Sequence, residues 1–289
     1  MQSRTILTIA LACAAALPGT GALAQSASEV WRLGNLQMPE SVIFDADNNR
    51  LIVGNMVTFG PEGGADGYLS IVSPEGEMVT ERWATGLKDP KGMAILSDRL
   101  FVADMDGLAE INLGDGTLVT VHALEGAQFP NDVTTDGDGV FVSDFFGQAI
   151  FRLSNGSVEA WLASEELQTP NGLFVDGDRI IVGAMGSGMK PDFTFETIGG
   201  LIAVDLGSKA ITPLEGATAM AMTDGVARMG DWLIFDDNPS GTIYAYAEAE
   251  GKATTIASIA PGAADLWVDG DMIYVPMTQT GELVALRLE

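Results

Sequence analysis

Cysteine and histidine are nearly missing from this sequence: Cys13 and His122 are the single examples in 289 residues. Cys13 falls in the N-terminal leader, so the mature chain is expected to fold in an oxidising compartment without disulfides. With one imidazole and no mature thiolate, zinc, copper and haem centres are poorly served. His122 reads as a surface residue of an outer strand and is not placed to activate a serine. A Gly-x-Ser-x-Gly elbow and a P-loop are likewise missing. Cations are scarce too: 14 Lys and Arg stand against 40 Asp and Glu, a net charge of −26. Nucleic acid and anionic membranes both require a positive surface, so neither is expected as a partner. The acidity itself is read as solubility, not mechanism. Helical periodicity is almost nowhere to be found.

What is present begins with a leader. Arg4, the apolar stretch Ile6 to Leu17 and the small-residue site Ala22-Leu23-Ala24 read as a signal peptide over residues 1–24, cut before Gln25. The apolar stretch is shorter than the ~18 residues a membrane span needs. The protein is therefore expected to be periplasmic or secreted. No linker or charge run divides residues 25–289, which read as a single domain.

One pattern recurs along that domain. TPNGLFVDGDRIIVGA (Thr169–Ala184) returns as MPESVIFDADNNRLIVGN (Met38–Asn55), DPKGMAILSDRLFVAD (Asp89–Asp104) and FPNDVTTDGDGVFVSD (Phe129–Asp144). Looser copies are MTDGVARMGDWLIFDD (Met222–Asp237) and AADLWVDGDMIYVPM (Ala263–Met277). Each has a polar turn, a short apolar run, an Asp/Asn/Gly turn and a second apolar run. Superposing them aligns Glu40, Lys91, Asn131, Asn171, Asp224 and Ala264, at steps of 51, 40, 40, 53 and 40 residues. A period near 40 with several strands per unit predicts an all-β, six-bladed β-propeller. EVWRLGNL (Glu29–Leu36) resembles the fourth strand of later units, whereas the last unit, ending ELVALRLE, lacks one. Pairing the N-terminal strand with the last blade closes the ring and removes its open edges.

The six aligned positions precede the channel-lining strands, so their side chains should converge on the axis. Glu40, Asn131, Asn171 and Asp224 supply oxygen from four blades, a donor set suited to a hard divalent cation, calcium first. Lys91, in the same ring, is expected either to pair with Glu40 or to face an anionic group of a substrate. Asp104, Asp144 and Asp237 end the second strands and are expected to bind neighbouring loops.

In these residues the chain resembles the gluconolactonase and senescence-marker-protein family, with paraoxonases and strictosidine synthase as more distant six-bladed relatives. Pro170–Gly172 (PNG), Asp224-Gly225 and Pro130–Asp132 (PND) carry the likeness. It implies a divalent metal, usually calcium, held by Glu40, Asn171 and Asp224, with Asn131 joining them or contacting the ligand. Two departures stand out. Phe129 occupies the place of an Arg common in the sugar-lactone enzymes, and Pro39-Glu40-Ser41 replaces Glu-Gly-Pro. The function expected is calcium-dependent hydrolysis of an apolar lactone or ester, with Asp224 as ligand and general base. Lys91 stands as a second catalytic candidate. The alternative is a non-catalytic periplasmic propeller binding a small molecule or protein. The expected partner is a small-molecule substrate, and the chain is expected to be a monomer.

The two long steps put extra residues into Met56–Gly67 and Met185–Gly199, after the second strands of blades one and four. Loops there should rise on the face that carries the ring. Their Met56 and Phe59, and their Met185, Met189, Phe193 and Phe195, should form an apolar vestibule, and Asn131 and Phe129 are further substrate-binding candidates.

Overall fold

A computed structural model describes residues 26–57 and 66–289. The expected signal peptide and Phe59 lie outside them. Strand β1 (Ala27–Leu33) comes first, and four-stranded antiparallel blades follow in chain order. Blade one is β2 (Pro39–Asp45), β3 (Arg50–Asn55), β4 (Gly67–Val72) and β5 (Met78–Leu87). Blade two is β6 (Met93–Leu96), β7 (Arg99–Asp104), β8 (Gly107–Asn112) and β9 (Leu118–His122). Blade three is β10 (Pro130–Thr135), β11 (Gly139–Asp144), β12 (Ala149–Ser154) and β13 (Ser157–Ala163). Blade four is β14 (Pro170–Asp176), β15 (Arg179–Ser187), β16 (Thr197–Asp205) and β17 (Ile211–Thr218). Blade five is β18 (Val226–Met229), β19 (Trp232–Asp237), β20 (Thr242–Ala247) and β21 (Lys252–Ser258). Blade six is β22 (Trp267–Asp269), β23 (Met272–Met277) and β24 (Glu282–Leu288), completed by β1.

This is the six-bladed propeller that the repeats predict. Closure also runs as expected: β1 pairs antiparallel with β24 from Ala27↔Leu288 to Leu33↔Leu283. Trp31 anchors the closing strand, its ring 5.9 Å from Tyr274 and its indole N–H donating to Pro74 O. The second and third strands are almost wholly buried, because each is covered on both faces by neighbouring blades. Ile43, Ile52 and Leu69 of blade one, for example, pack with Leu100, Val102 and Ala109 of blade two. Outer strands such as β13 and β21 alternate toward solvent.

Register fixes which end of the channel matters. Pro39 pairs with Asn55, Pro130 with Asp144 and Pro170 with Ala184. The start of each first strand thus lies beside the end of its second strand. Met56, and the hairpin after Ala184, therefore leave the blades at the ring, while residues 58–65 of the blade-one insertion lie outside the described residues. Met185–Gly199 differs from a bare loop in one respect. Gly186↔Ile198 and Ser187↔Thr197 continue the β15–β16 ladder, so the insertion is an extended hairpin with its tip near Phe193.

Candidate metal centre and channel mouth

The ring forms because one hydrogen bond repeats around the axis. The residue after the second strand donates its N–H to the carbonyl two residues before the ring position. Met56 donates to Met38, Phe145 to Phe129, Met185 to Thr169, Asn238 to Met222 and Thr278 to Gly262, all at 3.0–3.2 Å. Blade two uses a side chain instead: Asp104 accepts from the N–H groups of Lys88 and Asp89. Asp144 accepts likewise from Gln128 and Phe129, and Asp237 from Met222. These three carboxylates brace the approach to the ring.

Next, each blade grips its neighbour. Asp265 N–H donates to Glu40 O, Ser41 Oγ to Lys91 O, Gly92 N–H to Asn131 O and Ser143 Oγ to Asn171 O. The backbones approach so closely that a side chain after some ring positions has no room. A Cβ on Gly92 would lie 1.9 Å from Asp132 Oδ1, and one on Gly172 would lie 2.2 Å from Asp224 O.

The six ring positions, Glu40, Lys91, Asn131, Asn171, Asp224 and Ala264, are all buried. Among the described residues, Glu40 Oε2, Asn131 Oδ1 and Asp224 Oδ1 are buried with no hydrogen-bond partner. Burying one such atom unpaired costs about 1–3 kcal/mol, more if it is charged. Three oxygens of this kind from three blades, in a set of two carboxylates and two carboxamides, fit the ligand shell of a hard divalent cation. No group of three His, Cys, Asp or Glu side chains that could hold a metal is found among the described residues. Two of the four oxygen residues here are carboxamides, outside those types.

The electrostatics point the same way. Burial, and then the charge of Asp224, push the Glu40 carboxyl well above its usual range. Burial pushes Asp224 up to about 7, against the hydrogen bond from Asn238. Asp132 rises to about 7, and Asp236 and Asp265 are pushed well above the usual carboxylate range, burial being the main cause in each. Five carboxyl groups thus crowd the channel, Asp265 only partly buried among them, with too little positive charge to ionise together.

Asp236 and Asn238 were not singled out from the sequence. Asp236 Oδ1 accepts from the N–H groups of Asp224 and Gly225, fixing the backbone beneath the ring residue. Asn238 Nδ2 donates to Asp224 Oδ2 at 2.9 Å and to Ala263 O at 2.8 Å, leaving Oδ1 free. Asn238→Ala should therefore misplace Asp224 and lower any turnover about tenfold. It should also move the acid limb of the pH–rate profile upward, since the hydrogen bond that lowers the Asp224 pKa is lost.

Lys91 is not paired with Glu40 as the ring alignment suggested. Its ammonium pairs with Asp89, not Glu40: Nζ lies 3.2 Å from Asp89 Oδ2 and 3.0 Å from Asp89 O. It also sits 4.6 Å from the centroid of Phe129 and 3.8 Å from the Met105 sulfur. The side chain is buried and committed to these partners. Phe129 is therefore a lid on an internal ion pair, and it is only partly exposed.

Met185 is buried at the base of the blade-four hairpin, Phe195 is half-buried beside Gly186, and Phe193 is half-exposed at the tip. Deeper in the channel lies a cavity of about 380 Å³ walled by Ile43, Met93, Val133, Leu173 and Val226. It reaches Asp132 and Asp265, yet none of the four oxygen residues lines it. The cavity is the bore of the propeller, and the four oxygen residues lie outside it.

No protein-family model matches the sequence, and neither does any curated protein. Solved structures do match. A gluconolactonase from Xanthomonas campestris is 15% identical with a TM-score of 0.66, over 89% of this chain and 88% of that one. A virginiamycin B lyase from Staphylococcus aureus is 12% identical with a TM-score of 0.62, over 92% and 100%. A streptogramin B lyase is 10% identical with a TM-score of 0.61, over 92% and 98%. At these identities the likeness is one of fold, and the chain is a six-bladed β-propeller.

Proposed function

We propose that the protein is a divalent-metal-dependent hydrolase, calcium being the first candidate, acting on apolar lactones or related esters. The observation that carries this is the trio of buried, unpartnered oxygens on Glu40, Asn131 and Asp224. Asn171, buried in the same register, completes the set. Glu40, Asn131, Asn171 and Asp224 would hold the cation, which would supply Lewis-acid polarisation of a substrate carbonyl.

The chain's own residues supply the rest. Asn238 orients Asp224 through its Oδ2, and the Asp224 carboxylate takes a proton from water as the water oxygen adds to the carbonyl carbon. The ester C–O bond then breaks, the leaving oxygen receives that proton, and acid and alcohol result. Lys91 contributes a fixed positive charge that opposes the rise of the Glu40 pKa. Phe129 and the blade-four hairpin favour an apolar substrate. The gluconolactonase that shares this fold lends support to a lactone as the class.

The second reading, a propeller that binds a small molecule without catalysis, is favoured by one observation. Blade two fills its ring position with a closed Lys91–Asp89 pair instead of a donor. A panel of lactones and aryl esters, assayed after chelation and again with calcium added, separates the two. Calcium-restored turnover supports the hydrolase; binding with no turnover supports the second reading.

A further inference from the structure

We infer that Phe129, Phe145, Phe146 and Phe193 form a subsite at the mouth that takes an aryl group of the ligand. Phe129 stands two residues before Asn131, at the ring. Its ring centroid is 4.9 Å from Phe146 and 5.9 Å from Phe145, and those two lie 5.0 Å apart, edge to face. Phe146 then meets Phe193, from the next blade, at 6.4 Å. All four spacings fall in the range where aromatic rings attract beyond simple burial. Exposure grades outward along this path: Phe145 is buried at 8%, Phe129 and Phe146 are half-buried, and Phe193 is 50% exposed. A wall of rings thus runs from the metal-suited oxygens to solvent.

The outer end is built to present its ring. Phe193 has φ of 60°, in the left-handed region that bulky residues avoid. The tip is held by Lys190 N–H to Thr194 O, Phe193 N–H to Lys190 O and Thr194 Oγ1 to Asp192 Oδ1. An exposed phenylalanine at the tip forgoes the burial that an apolar ring ordinarily gains. Met189 and Ile198 of the same hairpin are also exposed, at 39% and 41%. The hairpin therefore carries apolar surface that nothing in the described chain covers. An aryl ring slotting beside Phe146 and under Phe193 fits this surface and leaves its attached carbonyl near the ring of oxygens.

The subsite deepens the hydrolase reading and rests on it for where the carbonyl lies. The test uses ligands that cannot be hydrolysed, so that the two stand or fall separately. The probes are 2-tetralone and cyclohexanone, cyclic ketones with and without a fused benzene ring. They are titrated by calorimetry into the full-length mature protein with calcium present. Wild type should bind 2-tetralone at least tenfold more tightly than cyclohexanone. Phe146→Ala and Phe193→Ala should each reduce that preference by about 3- to 10-fold, the worth of one aromatic pair. Val79→Ala, on an outer strand, should leave it intact. If Phe146→Ala does not fold, the half-exposed Phe193, tested alone as Ala and as Leu, carries the result. An unchanged preference in folded Phe193→Ala, or no preference in wild type, overturns the subsite. A protein that keeps the preference yet turns over no lactone or ester retains the subsite and loses the hydrolase reading.

Discussion

Asp224→Asn should lower hydrolysis of a responsive lactone or ester by at least about 100-fold while the propeller stays folded. The substitution keeps the shape of the side chain but removes its proton-accepting charge. Losing a general base costs 10²–10⁴-fold in typical cases, and here a metal-suited charge goes with it. Stability should move the other way. The Asp224 carboxylate is buried, its Oδ1 lacks a partner, and burial already drives its pKa to about 7. Without metal, then, the Asn variant should melt at the same temperature as wild type or higher at pH 8. Calcium should stabilise it less than wild type. Thermal melts with and without chelator, beside turnover on the same preparations, measure both effects. Near-normal turnover in a folded Asp224→Asn protein would place the base elsewhere, with Asp132 and Asp265 next in line.

A second large effect is expected in the pH dependence of the metal-free protein. Asp132 and Asp224 titrate near 7 in the folded state, and Glu40, Asp236 and Asp265 are raised as well. In the unfolded chain such groups release their protons near pH 4. Between those values the folded protein holds more protons than the unfolded one, so stability falls as pH rises. Each pKa unit of difference is worth about 1.4 kcal/mol, and several groups shift together. A drop of several kcal/mol from pH 5 to pH 8, or roughly 10 °C in melting temperature, should follow in chelator. Calcium should remove most of that drop, because the cation replaces the protons and expels them on binding. Melting curves at pH 5, 6, 7 and 8 in both conditions check this. A metal-free protein whose stability rises steadily to pH 8 would mean that these carboxyl groups are not crowded as described.

The fold was legible in the sequence because each blade repeats the same strand–turn–strand pattern, and the closing strand resembles the outer strands of later blades. The ring was legible for the same reason: a shared register places Glu40, Asn131, Asn171 and Asp224 at equivalent points, whatever each side chain then does. Partners that depend on tertiary contact were harder to see. Lys91 pairs with Asp89, two residues away in extended chain and therefore on the same side, and not with the carboxylate that the ring alignment suggested. Phe145 and Phe146 follow a second strand in a blade of ordinary length, where no insertion marks them in the sequence. Asn238 could have been found. It follows the second strand of blade five, where the equivalent residues of the first four blades are apolar, and a lone carboxamide there is a polar group in need of a partner. The blade-four insertion concealed its strand pairing behind Gly186 and Gly188, which interrupt the alternation without ending the ladder.

The claim that four blades hold one divalent cation through Glu40, Asn131, Asn171 and Asp224 is tested most directly by titrating calcium into chelator-stripped protein. Calorimetry should show one site per chain in wild type and at least about 100-fold weaker binding in Glu40→Gln, since the affinity of an oxygen site follows its ligand charge. At a hundredfold excess over the dissociation constant, calcium should add about 2.7 kcal/mol of stability to wild type. The absence of any heat, with an unchanged melting temperature on adding calcium, would contradict the account, and so would identical binding by wild type and Glu40→Gln.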